Sequence, residues 1–406
     1  MQFAKVKLSS LAIAAGLMVV AGAASAQAVT SGGATLPQQL YTDIFTNGPI
    51  QGVWSYNGTG SGTGKTAFLT NNASLFGKTG TVHIVGSDSA LTSAEVTTYN
   101  SAYNTGASST VANYGRLVQI PAVATPVLLG YKETGVTALN LTTEQVCRVY
   151  AYDANFRTWD KVATVADDGA NGSTNPIQVV FRTDTSGTTE LLSRFLNAAC
   201  GPYLPAGKSF TISNNFKTVV ASAQSLTAAD DANGDGLPDA WVGATGSSGV
   251  SSALATDHRL GYVSPDPVYT GSSNSNVARI NTFLPTAASI QSAISAITPP
   301  ATALARANPL NWVPAYAVPT GAYPIYGTTN LVLGQCYAGG IGAGTSAAAV
   351  KDFVTKLNNG AYDSKIASHN FVKLPANWNT AIQQAFLTSG STLEIGATSV
   401  CAGIGR

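Results

Sequence analysis

Hydrophobic positions along this chain alternate between a pattern typical of β-strands and one typical of helices. Short β-rich apolar runs precede segments in which apolar residues recur every three or four positions, as on one face of a helix. These pairs are Thr81–Val85 before Thr92–Tyr99, Val127–Tyr131 before Thr142–Tyr150, and Ile177–Phe181 before Thr189–Ala198. The alternation predicts an α/β fold with mostly parallel sheets flanked by helices.

The same pattern returns late in the chain, after a loop-rich middle. Residues 265–319 are rich in serine, asparagine, threonine and proline, whereas Asn330–Leu333 has a strand pattern and Ser346–Leu357 a helix pattern. A chain of 406 residues exceeds what one hydrophobic core usually holds. We therefore expect two lobes, with the last part of the chain returning to the first.

The N-terminal residues have the pattern of a secretory signal peptide. Lys5 and Lys7 precede the apolar run Leu11–Ala24, and small residues suited to cleavage follow. We assign residues 1–26 to this peptide and expect a periplasmic or secreted protein. No later window approaches the roughly eighteen apolar residues of a membrane-spanning helix.

Charged residues are scarce and nearly balanced. They make up 10% of the chain, and the formal net charge is +1. Nucleic acids and anionic membranes attract proteins through clustered basic charge, so this composition argues against both as partners.

Four cysteines, at positions 147, 200, 336 and 401, form an even set in a chain expected to be exported. Two disulfides are therefore expected. Three pairings are possible; we favour Cys147–Cys200 and Cys336–Cys401, because each bridge then stays within one region of the chain. The wide cysteine spacing and the presence of only three histidines argue against a zinc site.

Arg182 and the turn Ser186-Gly187-Thr188 form the strongest candidate for an anion site. Arg182 ends a predicted strand, and a predicted helix begins in the turn that follows. A helix amino terminus presents unpaired N–H donors with positive partial charge, and arginine adds a pair of charged donors. The alternative is an ordinary helix cap beside a surface arginine.

Two earlier segments have similar features. Thr35 and Leu36 lie at a predicted helix start, and Ser61 lies in the glycine-rich segment Gly58–Thr66, whose backbone can approach a ligand closely. That segment fails the nucleotide-binding P-loop spacing, because Thr59 occupies the position that requires glycine. The alternative for it is a flexible turn.

Asp88 follows another predicted strand and adds a carboxylate to this set. An ionised carboxylate can only accept a hydrogen bond, so it favours an anion that carries a proton. Phosphate near neutral pH carries one, whereas sulfate does not. Asp88 is therefore expected to select phosphate and exclude sulfate, unless it merely caps its loop.

These segments resemble the phosphate-binding proteins of bacterial high-affinity phosphate ABC transporters. The shared features, in chain order, are Gly32–Pro37, the Gly-Thr-Gly-Ser61-Gly segment, Ser87-Asp88, and Arg182 followed by Ser186-Gly187-Thr188. The DING branch of that family is the most similar. Its name-giving Asp-Ile-Asn-Gly start is replaced here by Ala28-Val-Thr-Ser31.

The resemblance implies a two-lobed periplasmic solute-binding protein that closes like a flytrap on inorganic phosphate. It implies a first lobe of residues 27–128, a second lobe of 129–267, and a return to the first over 268–406. Asp184 resembles the carboxylate that orients the site arginine. The implied ligands are Thr35, Leu36, Ser61, Asp88, Arg182, Ser186, Gly187 and Thr188.

The resemblance also implies two partners: phosphate and the membrane permease of an ABC transporter. We expect a monomer that has no cofactor and is not an enzyme. The alternatives are a secreted DING-type phosphatase and an adhesive protein. Strong catalysis would need a nucleophile with a base or a metal pair, and the sequence has neither a Gly-x-Ser-x-Gly elbow nor a histidine cluster.

A further segment resembles the front of a calcium-binding loop. Its oxygen ligands would be Asp231, Asn233, Asp235 and Asp239. Val242 replaces the glutamate expected at position twelve, so the alternative is a solvated acidic loop. Any calcium ion here would be structural, because the loop is far in sequence from the phosphate candidates.

Overall fold

The computed structural model describes residues 27–104, 112–164, 172–271, 276–340 and 342–406. The predicted signal peptide, residues 1–26, lies outside the described residues. Within the described ranges, no helix combines the length and the apolar character needed to cross a membrane.

Eleven strands are present in the described part of the chain. They are β1 (Ala28–Gly33), β2 (Val53–Gly58), β3 (Ile84–Ser87), β4 (Leu117–Pro126), β5 (Leu128–Lys132), β6 (Asn140–Leu141), β7 (Gln178–Arg182), β8 (Val242–Ala244), β9 (Arg259–Val263), β10 (Arg279–Ile280) and β11 (Tyr326–Gly334).

The α-helices in the same ranges are α1 (Gln38–Asn47), α2 (Ser61–Leu69), α3 (Ser93–Tyr103), α4 (Thr143–Tyr150), α5 (Gly187–Ala199), α6 (Phe216–Val220), α7 (Gly246–Ala253), α8 (Pro267–Thr270), α9 (Ala287–Ser295), α10 (Ala303–Ala307), α11 (Ser346–Asn358), α12 (Asp363–Ser368), α13 (Ala376–Ile382) and α14 (Thr398–Cys401). Capping boxes begin α3 and α4, where Thr92 pairs with Glu95 and Thr142 with Gln145. These reciprocal side-chain bonds satisfy free N–H groups at each helix start.

Two larger sheets organise the fold. The first has the order β2-β1-β3-β11-β4, and the second has the order β5-β9-β7-β8. In the first, β1 runs parallel to β2 and β3, whereas β11 runs antiparallel to β3 and β4. In the second, β7 runs parallel to β8 and β9, and β5 is antiparallel to β9. The predicted α/β fold is confirmed, with each sheet mixed rather than purely parallel.

The two sheets belong to the two lobes, which we call the first and the second lobe. The chain leaves the first sheet at the end of β4 and enters the second at the start of β5, with Val127 between them. The segment that follows β9 still contacts the second lobe. The Tyr131 N–H donates to the carbonyl of Asn276 at 2.9 Å, and β10 pairs with β6. The boundaries at residues 128 and 267 stay predictions.

Both predicted disulfides are present. Cys147 on α4 bonds Cys200 at the end of α5, and Cys336 bonds Cys401 on α14. Each bridge therefore fastens a helix to a neighbouring segment of the same region, and all four cysteines are buried.

Candidate functional site

Arg182 is the last residue of β7, and its side chain is almost completely buried, with 2% of the residue exposed. Its Nε donates to Asp184 Oδ1 at 2.7 Å, and its Nη2 donates to Asp184 Oδ2. The Gly246 N–H donates to the same carboxylate at 3.1 Å. Burial opposes ionisation of Asp184, but the arginine and this N–H together hold its pKa below the usual range. Asp184 thus fixes the orientation of Arg182.

The amino terminus of α5 follows directly. Ser186 caps the helix, because its hydroxyl oxygen accepts the Thr189 N–H at 3.3 Å. Gly187 and Thr188 lie in the first helical turn, where N–H groups have no acceptor within the helix. The Thr188 hydroxyl is buried without a hydrogen-bond partner in the described ranges. The turn can therefore supply several donors to one anion.

Asp88 lies just beyond β3 in the first lobe and is 1% exposed. Its N–H donates to Ser61 Oγ at 3.1 Å, and the Ser61 hydroxyl lies 3.5 Å from Asp88 Oδ2. Oδ1 has no hydrogen-bond partner among the described residues. Burial raises the pKa of Asp88 to about 7, although Arg182, Ser61 and the nearby Thr329 hydroxyl partly oppose the shift. A buried acceptor with an open lone pair suits a ligand that donates a proton.

Gly187 brings the two lobes into contact at this point. A Cβ atom on Gly187 would lie 2.4 Å from both the Asp88 Cβ and the Ser61 Oγ. Next to this contact, the Gly62 N–H donates to the Thr185 carbonyl at 3.1 Å. The structure therefore joins the helix starts of α2 and α5 across the lobes, with Asp88 beside them.

Thr35 connects the lobes at a second point. Its hydroxyl oxygen lies 3.3 Å from Ser247 Oγ and accepts the Ser247 N–H at 3.3 Å. Leu36 is fully buried, and its carbonyl accepts the Ser264 hydroxyl at 2.8 Å. The predicted site residues of the first lobe thus all contact, or lie next to, residues of the second.

Sequence reasoning missed three participants in this arrangement: Ser247, Gly246 and Glu190. Gly246 and Ser247 begin α7, which is separated from β8 by Thr245 alone, so the same strand-then-helix signal that indicated Arg182 and Ser186 was available there. Glu190, which accepts the Ala90 N–H at 3.1 Å, gave no signal beyond its place in a predicted helix.

In the candidate calcium loop, several of the predicted ligand oxygens accept hydrogen bonds from other residues of the loop. Asp231 accepts the N–H groups of Asp235 and Gly236 at 2.9 Å, and Asn233 donates to Asp239 at 2.7 Å. Lys217 also lies 3.3 Å from the Asp235 carboxylate. The loop's ability to bind calcium stays a prediction.

Across the described residues, one group of His, Cys, Asp or Glu side chains has metal-ligand spacing: Glu133, Asp257 and His258. Glu133 directly follows β5, and His258 directly precedes β9. Because Lys132 of β5 and Gln178 of β7 both pair with Arg259 of β9, this cluster lies near the start of β7. Arg182 is at the other end of that strand, about 13 Å away. The cluster is thus separate from the candidate anion site, and His258 Nδ1 is 2.7 Å from Glu133 Oε2.

Comparison with known proteins identifies the family. A family model described as a PBP superfamily domain matches residues 14–356. The chain is 43% identical over 398 residues to alkaline phosphatase L of Pseudomonas aeruginosa PAO1, covering 97% of this chain and 98% of that protein. It is 37% identical over 414 residues to a phosphate-binding protein of an unknown prokaryotic organism, covering 93% of this chain and 99% of that protein.

Solved structures agree with the sequence comparisons. A high-affinity periplasmic phosphate-binding protein called PfluDING, solved with phosphate bound, has a TM-score of 0.78 at 37% identity and covers 94% of this chain and 99% of its own. A phosphate-binding protein from Stenotrophomonas maltophilia has a TM-score of 0.78 at 36% identity, with coverage of 94% and 99%. The chain belongs to the PBP superfamily and, within it, to the DING-like phosphate-binding proteins.

Proposed function

We propose that this protein captures inorganic phosphate between its two lobes and delivers it to an ABC transporter. The observation that carries the proposal is the buried Asp88 carboxylate, whose Oδ1 is unpaired among the described residues, together with the nearby positive charge of Arg182, which acts on that carboxylate. An acceptor therefore lies within the electrostatic reach of a strong donor. Protonated phosphate needs both kinds of group at once.

The proposed ligand set combines hydroxyl and N–H donors from both lobes. Thr35, Ser61, Ser186 and Thr188 would donate hydroxyl groups, while Leu36 and Gly187 would donate backbone N–H groups. Arg182 would supply charged donors in the orientation that Asp184 fixes. Pre-aimed donors of this kind offset the high cost of removing an anion from water.

We further propose that residues 1–26 direct export and that phosphate is passed to a membrane permease. The DING-like relative PfluDING is itself described as periplasmic, which supports this location. Because charged residues are only 10% of the sequence, docking on the permease would depend on a few specific contacts rather than a broad charged surface.

We also propose that the protein is not an enzyme, although several relatives are named alkaline phosphatase L. Ser61 is engaged by the Asp88 N–H, and the Glu133–Asp257–His258 cluster is about 13 Å from the end of β7 that carries Arg182. The site therefore offers hydrogen bonds rather than a nucleophile with a separate base.

Calorimetric titration of refolded, ligand-free protein with phosphate and then sulfate tests this function. The proposal expects tight one-to-one phosphate binding and negligible sulfate heat. Folded protein that releases no heat with phosphate would refute it. An assay of p-nitrophenyl phosphate hydrolysis on the same sample tests the non-enzymatic assignment. Steady turnover by the parent that is abolished in Asp88→Asn would overturn that assignment.

A further inference from the structure

Glu190 connects the lobes through a charged side chain that lies outside the proposed ligand set. It is in the first part of α5, three residues after Gly187, and is 9% exposed. Its Oε1 accepts the N–H of Ala90, which follows Asp88 by two residues in the first lobe. A carboxylate of the second lobe thus holds the loop that carries the phosphate-selecting carboxylate.

The first lobe fixes this loop so that the Ala90 N–H faces Glu190. Lys65 Nζ donates to the Ala90 carbonyl at 2.9 Å and pairs with Glu95 at 3.1 Å. The Leu91 N–H donates to the Gln119 side chain at 2.8 Å. Because these partners anchor the loop on either side of the Ala90 N–H, loss of the Glu190 acceptor would leave this partly buried donor without its partner.

The charge of Glu190 also reaches the site. Arg194, one turn further along α5, donates to Glu190 Oε1 at 2.7 Å and compensates part of this charge. The remainder still acts on Asp88, since burial and the charge of Glu190 both raise the pKa of that carboxyl. Arg182 and Asp184 are also charged groups of the second lobe beside the site, and they pair with each other.

We propose that Glu190 is a positioning residue, which fastens the Asp88 loop across the closed lobes and so holds the phosphate-selecting carboxylate in place. The charge of Glu190 acts on the site through Asp88: it favours the protonated carboxyl, and a protonated carboxyl can donate to an anion that carries no proton, such as sulfate. This inference rests on the proposed phosphate-binding function.

Two substitutions separate the two effects. Glu190→Gln keeps a side-chain oxygen that can accept the Ala90 N–H but removes the charge, whereas Glu190→Ala removes both. Glu144→Gln is the matched control, because Glu144 forms the same i,i+4 pair with Arg148 on α4 of the second lobe. Thermal melting without phosphate establishes that each variant folds.

The readout is the ratio of sulfate Kd to phosphate Kd, measured by calorimetry, with sulfate competing against phosphate. Glu190→Gln is expected to raise this ratio up to about two-fold at neutral pH, because a larger fraction of Asp88 is then ionised and excludes sulfate. Its phosphate affinity should stay near that of the parent, because the amide oxygen still accepts the Ala90 N–H. Glu190→Ala should weaken phosphate binding at least about five-fold, because the Ala90 N–H then loses its acceptor. Glu144→Gln should change neither value.

A ratio lower than that of the parent in Glu190→Gln would overturn the charge role. Unchanged phosphate affinity in folded Glu190→Ala would overturn the fastening role. Phosphate binding by the parent separates these failures from failure of the proposed function, because a parent without phosphate heat would refute both.

Discussion

Replacing Gly187 by alanine adds one methyl group at the contact between the lobes. That Cβ would lie 2.4 Å from the Asp88 Cβ and from Ser61 Oγ, and 2.7 Å from the Ser89 backbone nitrogen. Ordinary contacts are about 3.5–4.0 Å, so all three approaches are more than half an ångström too close. Two of them involve atoms close to or within the backbone, which cannot swing away as a long side chain would.

The added methyl group should destabilise the closed arrangement of the two lobes rather than the folded state of each lobe. Overpacking of this kind typically costs about 1–3 kcal/mol, which corresponds to about 5-fold to about 150-fold weaker phosphate binding. Each lobe alone tolerates the substitution, because the clashing atoms belong to the other lobe and alanine is a better helix former than glycine. The melting temperature of ligand-free Gly187→Ala should therefore equal or exceed that of the parent.

Calorimetry with phosphate, together with thermal melting without it, measures both quantities. Gly201→Ala is the control, because a Cβ there meets nothing within 4 Å. Gly187→Ala protein that binds phosphate within two-fold of the parent would refute the closed contact between α5 and the Asp88 loop. A large loss of melting temperature would instead assign the contact to folding.

Three further predictions test other parts of the structure. Asp88→Asn should increase sulfate binding relative to phosphate, whereas Arg182→Ala should weaken both, as competition calorimetry would reveal; equal selectivity in Asp88→Asn and the parent would contradict the proton-based role. Burial, aided by the Arg406 charge, lowers the pKa of His83 to about 4, so the protein should lose up to about 3 kcal/mol of unfolding free energy as pH falls from about 6.5 to about 4. His83→Gln should flatten that dependence in denaturant titrations. Replacing Cys147 and Cys200 by serine opens a bridge spanning 53 residues and should cost about 4 kcal/mol in the same titrations with phosphate affinity kept; a weakened phosphate affinity in the folded variant would contradict this purely stabilising role.

The alternation of strand and helix patterns was sufficient to predict much of the fold. The predicted helix over Ser346–Leu357 matches α11, and the strand over Ile177–Phe181 matches β7 within one residue. Local signals such as the Thr92 capping box act within a few residues and are visible in any sequence. The antiparallel course of β11 could not be predicted, because it depends on the path by which the chain returns to the first lobe.

The candidate site was only partly accessible from sequence. Arg182 and Asp88 stand out because charged residues at strand ends are distinctive, and their neighbours lie close along the chain. The contact of Thr35 with Ser247 joins residues 212 positions apart, and that of Ala90 with Glu190 joins residues 100 apart. Such pairs follow from how the lobes meet, which no local pattern encodes.

The most direct test of the central claim is a crystal structure of the protein grown with phosphate. We expect phosphate between the lobes, with Asp88 Oδ1 accepting a hydrogen bond from a protonated phosphate oxygen and Arg182 donating to another oxygen. Phosphate bound elsewhere, or a closed interlobe site holding no anion at saturating phosphate, would contradict the account.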